Sequence, residues 1–399
     1  MYVALRRGIG AWLFREGSPD AIQVAMNWDP ANPQYPDAMA TLLHLYANGG
    51  ISNEIIELYK QATLLAPQDA QFWADLGSAY DWAGRSDEAL AAFQQARRLF
   101  PNSPEINWRL ANFYVRTGKT SEALQAMQIV LSGDAAAWRN VFTLATRATG
   151  DTKRIVGMLP TNASILFSYL NFQIEAGNLV ATQEAWARIL QLNLPFDLSE
   201  AFPYLDALIQ HKDLVRLQDA WAVLTLRFPS KIGRRTPDSN LVTNGTFDHN
   251  ILNGGLDWRV LPIQGVVVSL DLADASDSRH ELRITFEGSR NMRYGQVFQY
   301  VPVQPNTRYR FFGRMRVQAI TTNSGPRFQM CDAYDPGRMF ASTENLVGTS
   351  GWADERAEFS TGRDTRLLLI SVARPESEKF ESQIAGTVWI DGISLTQRN

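Results

Sequence analysis

The sequence predicts a chain in two parts, an all-α helical-repeat solenoid over residues 1–230 and an antiparallel β-sandwich over residues 240–399. Three observations carry this reading. Positions recur every 34 residues through the first part; a polar stretch with Gly and Pro at 231–239 breaks the helical periodicity; short β-branched or aromatic runs fill the remainder. A length of 399 residues exceeds one ordinary core, in keeping with two domains. With 45% hydrophobic and 20% charged residues, the chain has enough apolar material to offset its ordering entropy, which excludes a largely disordered protein. A net charge of −3 gives no general attraction for polyanions and argues against nucleic acid as a partner. The single cysteine, Cys331, excludes a disulfide framework and a cysteine-rich zinc site. No stretch approaches the roughly 18 apolar residues of a membrane-spanning helix.

Trp12, Tyr46, Tyr80 and Tyr114 stand 34 residues apart, as do Gly50, Gly84 and Gly118. Ser18, Ser52, Ser86 and Thr120 read as helix N-caps, whose hydroxyls accept from the free N–H groups of a helix start. Pro33, Pro67 and Pro101 stop the second helix of each unit. In the best copy, DAQFWADLGSAYDWAGRSDEALAAFQQARRLFP, Gly77 and Ala89 are small enough for paired helices to approach. Trp73, Leu76, Tyr80 and Phe93 fill the seam between them. After Leu131 the pattern weakens but pairing continues through Trp138–Leu159, Ser164–Leu192 and Leu198–Phe228, giving about six pairs. An irregular second helix is expected at Asp151–Leu159, which is short and holds Gly157.

Trp73, Leu76, Gly77, Tyr80, Ala89, Phe93, Ala96 and Pro101 all fall on the tetratricopeptide-repeat pattern, and the first part resembles that family. Neighbouring copies depart in detail, with Met39 and Asn107 at the Trp73 position, Ile55 at that of Ala89 and Met127 at that of Phe93. The resemblance implies a groove that grips a protein or peptide. Trp108, Arg109, Asn112 and Arg116, on the first helix of a pair, are its candidate contacts.

Eight runs read as strands: Gln264–Leu272, His280–Phe286, Gly295–Val303, Thr307–Gln318, Arg327–Ala333, Trp352–Ser360, Arg366–Ala373 and Gly386–Thr396. Within Arg308–Gln318, Tyr309, Phe311, Gly313, Met315 and Val317 fall on one side, which is core. Arg308, Arg310, Phe312, Arg314 and Arg316 fall on the other, a basic stripe with an aromatic residue in its middle.

The segments NLVTNGTFDHNILNGGLDWRV (240–260), YGQVFQYVPVQPNTRYRFFGRMRV (294–317) and GTVWIDGISL (386–395) together resemble the carbohydrate-binding modules of families 4, 9 and 22, members of the galactose-binding-like jelly rolls. The resemblance implies polysaccharide binding. It also implies the option of a structural calcium ion between the first and last strands, with Asp248 and Asp391 as ligands, although Thr246 replaces the acid common in that segment. Sugars offer an apolar ring face and polar edges, so aromatic planes and planar hydrogen-bonding groups recognise them. Arg310, Phe312, Arg314, Arg316, Arg327, Gln329, Tyr294, Tyr334 and Trp352 are the candidates. The stripe reads equally as a solvated sheet face.

His44, His211, His249 and His280 each stand alone, without the neighbours of a catalytic triad or zinc site, and no phosphate loop is present. A glycoside hydrolase needs only two facing carboxylates, for which Asp332 with Glu344 or Glu287 is the candidate pair. The sequence therefore predicts a non-catalytic adaptor that joins a protein partner to a polysaccharide, by analogy in bacterial exopolysaccharide or envelope glycan assembly, with a periplasmic or cell-envelope setting favoured. The alternative is a pure protein-interaction protein whose sandwich does not bind sugar. Tyr2 stands one period before Pro36, which leaves room for an anchor or further repeats upstream.

Overall fold

The computed structural model describes residues 2–233, 239–274, 277–380 and 382–398. The chain divides into two compact units, Met1–Phe196 and Asp197–Asn399. The division falls ahead of the last helix pair rather than at the expected linker, of which residues 234–238 lie outside the described residues.

The first unit holds paired helices: α1 (Tyr2–Phe14) with α2 (Pro19–Trp28), α3 (Gln34–Tyr46) with α4 (Asn53–Leu65), and α5 (Ala70–Trp82) with α6 (Ser86–Leu99). They continue as α7 (Pro104–Arg116) with α8 (Thr120–Gly133), α9 (Trp138–Ala148) with the short α10 (Thr152–Met158), and α11 (Ala163–Glu175) with α12 (Leu179–Leu192). Ser18 and Ser52 cap α2 and α4, accepting from the Ala21 and Ile55 N–H groups. Ser86 and Thr120 do not act as caps. They are the first helical residues, and Arg85 and Lys119 stand at the cap positions without a side-chain bond. The turns differ: Gly84 and Gly118 take φ of 73° and lead into the helix at once, whereas before Ser52 the left-handed residues are Asn48 and Gly49.

The seam forms as the spacing predicts. A Cβ on Gly77 would lie 2.7 Å from the Phe93 ring, so only glycine lets α5 and α6 close. Phe93, Tyr80 and Tyr114 are buried, but Trp12 and Tyr46, at the same point of the period, are 68% and 67% exposed. Tyr80 is covered by the Arg85 guanidinium, 4.8 Å from its ring centre, and the residue one period earlier is Ile51. Asn107 replaces Trp73 without loss of function in the turn. Trp73 Nε1 donates to the Pro67 carbonyl at 3.0 Å, and Asn107 Nδ2 donates to the equivalent Pro101 carbonyl at 2.8 Å.

The second unit begins with α13 (Phe202–Gln210) and α14 (Leu214–Arg227), then turns to strands: β1 (Arg259–Val260), β2 (Val266–Asp274), β3 (Asp277–Glu287), β4 (Tyr294–Pro302) and β5 (Arg308–Ile320). It ends with β6 (Arg327–Asp332), β7 (Phe340–Ser342), β8 (Gly348–Ser360), β9 (Leu367–Arg374) and β10 (Ala385–Gln397). They form two five-stranded antiparallel sheets, β1-β4-β9-β6-β7 and β2-β3-β10-β5-β8. Between them lies a core that includes Phe247, Trp258, Leu282, Tyr309, Phe311, Phe328, Ile370 and Ile390. β5 alternates as expected, with Tyr309, Phe311, Met315 and Val317 buried.

The segment before β1 clasps both sheets. Asn240 Oδ1 accepts from Leu395 N on β10 at 2.9 Å, while Thr243 exchanges two backbone bonds with the buried Gln299 amide of β4, at 3.0 and 2.8 Å. The helix pair is tied to the sandwich: Arg259 pairs with Asp206 at 2.5 Å, and the Tyr334 hydroxyl donates to the Ile209 carbonyl at 2.8 Å.

Two close approaches are testable. Gly77→Val would drive a branched side chain into Phe93, and Gly245→Ala would place Cβ 2.1 Å from the Ile393 carbonyl oxygen. Each is expected to destabilise by about 1–3 kcal/mol or more, read as a lower urea unfolding midpoint.

Candidate functional site

In the first unit the odd-numbered helices carry a polar ladder. α5 packs beside α7, α7 beside α9 and α9 beside α11. Arg109 is held by Asp75 at 2.6 Å and by Glu105 at 2.8 Å, and it also donates to Ser78. Arg116 pairs with Asp81, Asn112 donates to the Trp108 carbonyl, and Trp108 is half-buried. The predicted groove residues thus do sit together, with both arginines clamped to α5. Gln71 reaches Asp75 and Glu105, and a cavity of 850 Å³ lined by Pro67, Asp69, Gln71, Phe100 and Glu105 adjoins them. Asp37 on α3 has a buried Oδ1 with no partner. Burial pushes its carboxyl up to about 7, with Asp75 adding to the effect and Arg109 opposing it.

In the sandwich the predicted sugar contacts do not form one site. Arg310, Phe312, Arg314, Arg316 and Trp352 lie on the outer face of β2-β3-β10-β5-β8, whereas Arg327 and Gln329 lie on the outer face of the other sheet. Tyr334 follows β6 and is engaged by Ile209, with Lys212 5.0 Å from its ring centre.

The basic stripe is largely paired within its own face, although Arg308, Arg310 and Arg398 share the single Glu358 and Arg316 Nε is buried without a partner. Arg308 and Arg310 pair with Glu358 at 3.2 and 3.1 Å, Arg314 with Asp391 at 2.8 Å, and Arg316 with Glu281 at 3.1 Å. Arg314 and Arg316 lie 5.0 and 5.3 Å from the Trp352 ring centre, and Arg316 lies 4.2 Å from that of Trp389. Arg356 sits over Phe312. The expected aromatic platform therefore has guanidinium groups against it that acids of the same face pair with, while Trp352 itself stays 36% exposed.

The outer face of β1-β4-β9-β6-β7 is different. In register across it run Phe298, Ser371, Gln329 and Ser342, and beside them Tyr300, Leu369, Cys331 and Phe340. The Phe298 and Tyr300 rings meet edge to face at 5.6 Å. Gln329 makes no side-chain hydrogen bond among the described residues, and Arg327 Nε is buried without a partner. Burial lowers the Arg327 pKa. Tyr294, expected on a loop, is the first residue of β4 and 2% exposed. Its ring packs on Phe286 and its hydroxyl has no partner. Burial pushes that hydroxyl's pKa up.

At the end of this face opens a cavity of 530 Å³ lined by Arg293, Tyr294, Gln329, Ala373, Arg374, Pro375 and Glu376. Beneath it the fully buried Arg374 donates to the carbonyls of Ser324, Met292 and Ser382 and to Asn291 Oδ1. Sequence reasoning missed Phe298, Tyr300 and Arg374. Strand alternation held the signal, since Leu368, Ile370 and Val372 point inward and Arg374 continues their side.

The calcium ligands fit poorly. Asp391 is already charge-compensated by Arg314, and Asp248 accepts from the Thr246 hydroxyl at 2.6 Å. Among the described residues no three His, Cys, Asp or Glu side chains gather to hold a metal, whereas calcium wants six to eight oxygens. Asp332, offered as a hydrolytic acid, is buried and caps a turn, accepting from Tyr334 N at 2.8 Å and Asp335 N at 3.0 Å.

Fold and site together define a helical-repeat scaffold followed by a β-sandwich with one open polar and aromatic face. Residues 56–104 and 83–147 match tetratricopeptide-repeat family models, so the chain carries tetratricopeptide repeats. No curated protein matches the chain. Among solved structures, a family 4 carbohydrate-binding module is 16% identical, covering 39% of this chain and 99% of its own, with a TM-score of 0.30. The MamA protein is 18% identical over 49% of this chain and 98% of its own, with a TM-score of 0.33. PilF of Pseudomonas aeruginosa is 14% identical over 48% of this chain and 91% of its own, with a TM-score of 0.32. No helix among the described residues is long and apolar enough to cross a membrane.

The raised carboxyl of Asp37 sets a pH dependence. A carboxyl whose pKa rises on folding stabilises fully below its unfolded value of 3.8, and that contribution is lost as pH climbs through about 7. Asp257 in the second unit, also pushed to about 7 by burial, acts in the same direction. Asp37→Asn is expected to raise the melting temperature at pH 8, to have little effect at pH 4, and to flatten the decline between.

Proposed function

We propose that the protein is a non-catalytic adaptor whose repeats hold a protein partner and whose sandwich holds a polysaccharide across the outer face of β1-β4-β9-β6-β7. One observation carries the sugar half: on this face the buried Arg327 Nε and the part-exposed Gln329 amide have no side-chain partner among the described residues, beside the half-exposed rings of Phe298 and Tyr300. Buried polar atoms are ordinarily satisfied, so an unsatisfied one with an open amide beside aromatic rings suits a ligand with hydroxyl edges and an apolar ring face. The motifs at 240–260, 294–317 and 386–395, which resemble carbohydrate-binding modules, support the same reading. In the repeats, the polar ladder and the adjoining cavity offer a docking surface for a peptide segment. The setting that suits this pairing is bacterial exopolysaccharide or envelope glycan assembly.

Calorimetric titration of the full chain against neutral and acidic polysaccharides tests the sugar half. Saturable binding is expected, weakened at least about tenfold by Tyr300→Ala or Gln329→Ala and unchanged by Arg310→Ala. Loss in Arg314→Ala or Arg316→Ala alone would move the site to the stripe. Absence of heat from every glycan, with a folded protein, would leave the repeats as the only binding part.

A further inference from the structure

The helix pair α13–α14 lies against the segment that leads into β1, at the edge of the open face. That segment is cut to fit it. A Cβ on Gly254 would lie 2.2 Å from the Phe202 ring, and one on Gly255, where φ is 59°, would lie 2.3 Å from the Trp221 ring. Only glycines let the backbone come so close to both helices.

The contact reaches the rings of the open face through Arg259. In the β1–β4 register Arg259 stands opposite Phe298, which puts it on the outer side of the sheet with Phe298 and Tyr300. A side chain there, on an edge strand, is ordinarily open to water, yet that of Arg259 is 14% exposed, against 37% for Arg314 on the stripe. Asp206 of α13 is its only ion-pair partner among the described residues, at 2.5 Å, and the Gly255 carbonyl accepts from the same Nη2 at 3.2 Å. The guanidinium carbon lies 5.4 Å from the Tyr300 ring centre, so Tyr300 is held by Arg259 as well as by the edge-to-face contact with Phe298, while its own ring stays half-exposed. A second tie runs beside the first: the Tyr334 hydroxyl donates to the Ile209 carbonyl of α13, and burial, with Tyr300 next in effect, pushes that hydroxyl up to about 12.

We propose that α13–α14 is a working part of the glycan site: Asp206 fixes Arg259, and Arg259 fixes the Tyr300 ring in the orientation on which a sugar stacks. Asp206 and Arg259 are positioning residues, acting through Tyr300. A ring already held in place loses less freedom when a ligand arrives, so the clamp contributes to affinity without touching the sugar. The flat guanidinium suits the task, since it can lie on a ring and meet a carboxylate with the same N–H edge. The sugar-binding body therefore includes the last helix pair as well as the two sheets. The inference rests on the glycan reading above and adds to it the residues that set its platform.

The test titrates the full chain with cello-, laminari- and xylo-oligosaccharides and with polygalacturonate, and carries the tightest binder into a double-mutant cycle between Asp206→Ala and Tyr300→Ala. Asp206→Ala is expected to weaken binding about three- to tenfold, the size of a lost cation–π contact, and Asp206→Glu to restore most of it. In the Tyr300→Ala background the same change is expected to cost nothing further, because its effect passes through that ring. A thermal melt of each variant checks that the fold persists. Additive losses in the cycle would show that Asp206 supports the fold alone and would overturn the proposal. Unchanged affinity in Asp206→Ala, with binding lost in Tyr300→Ala, would also overturn it while leaving the glycan reading standing. Failure of every glycan to bind a folded chain would sink the glycan reading itself, and the clamp with it.

Discussion

Arg374 places a full positive charge at the inner end of an apolar strand, and the loop end of the sandwich is organised around keeping it hydrogen-bonded. A planar guanidinium offers five N–H groups in fixed directions, so each acceptor must come from a defined place. They come from the turn before β4, through Asn291 and Met292, from the segment after β5, through Thr322 and Ser324, and from the segment before β10, through Ser382. Asn291 in turn donates to the Ser377 carbonyl and accepts from the Ser377 N–H. Three stretches far apart in sequence are thereby fixed to one group.

The arginine stripe obeys the same physics with the opposite outcome. Its guanidiniums are half-exposed, so each ion pair contributes little alone, of the order of 0–1 kcal/mol. Together they tie β3, β10 and β8 to β5, and their flat faces cover Trp352 and Trp389. The repeats use this device as well. Asp75–Arg109 and Asp81–Arg116 join α5 to α7, and Arg139–Glu175 joins α9 to α11, holding helices of the same rank side by side.

Much of the fold was legible because its signals are local. The 34-residue recurrence placed the helix pairs, Gly77 announced a close approach, and the alternation in Arg308–Gln318 placed β5 with its buried side correct. The caps at Ser86 and Thr120 were misread because one residue of turn length decides whether a hydroxyl lies before or inside a helix. The site was much less legible. Whether Arg314 and Arg316 are free depends on Asp391 and Glu281, which are 77 and 35 residues away and become neighbours only through strand register. Likewise nothing local joins Phe298 to Gln329, since β9 must first come between β4 and β6.

Charge density alone therefore does not rank the two faces. The stripe carries more formal charge, yet most of its donors are spent on acids of neighbouring strands, Arg316 Nε excepted. The opposite face carries fewer charged groups, and there Gln329 and Arg327 Nε have no side-chain partner among the described residues. A ligand gains most where it supplies bonds that the folded protein has been left without, because there the cost of dehydrating those groups was already met on folding. At a satisfied network a ligand must first break what it replaces. On that ground the louder surface acts first as a brace for the sheet, and the quieter one is the face the proposed function uses.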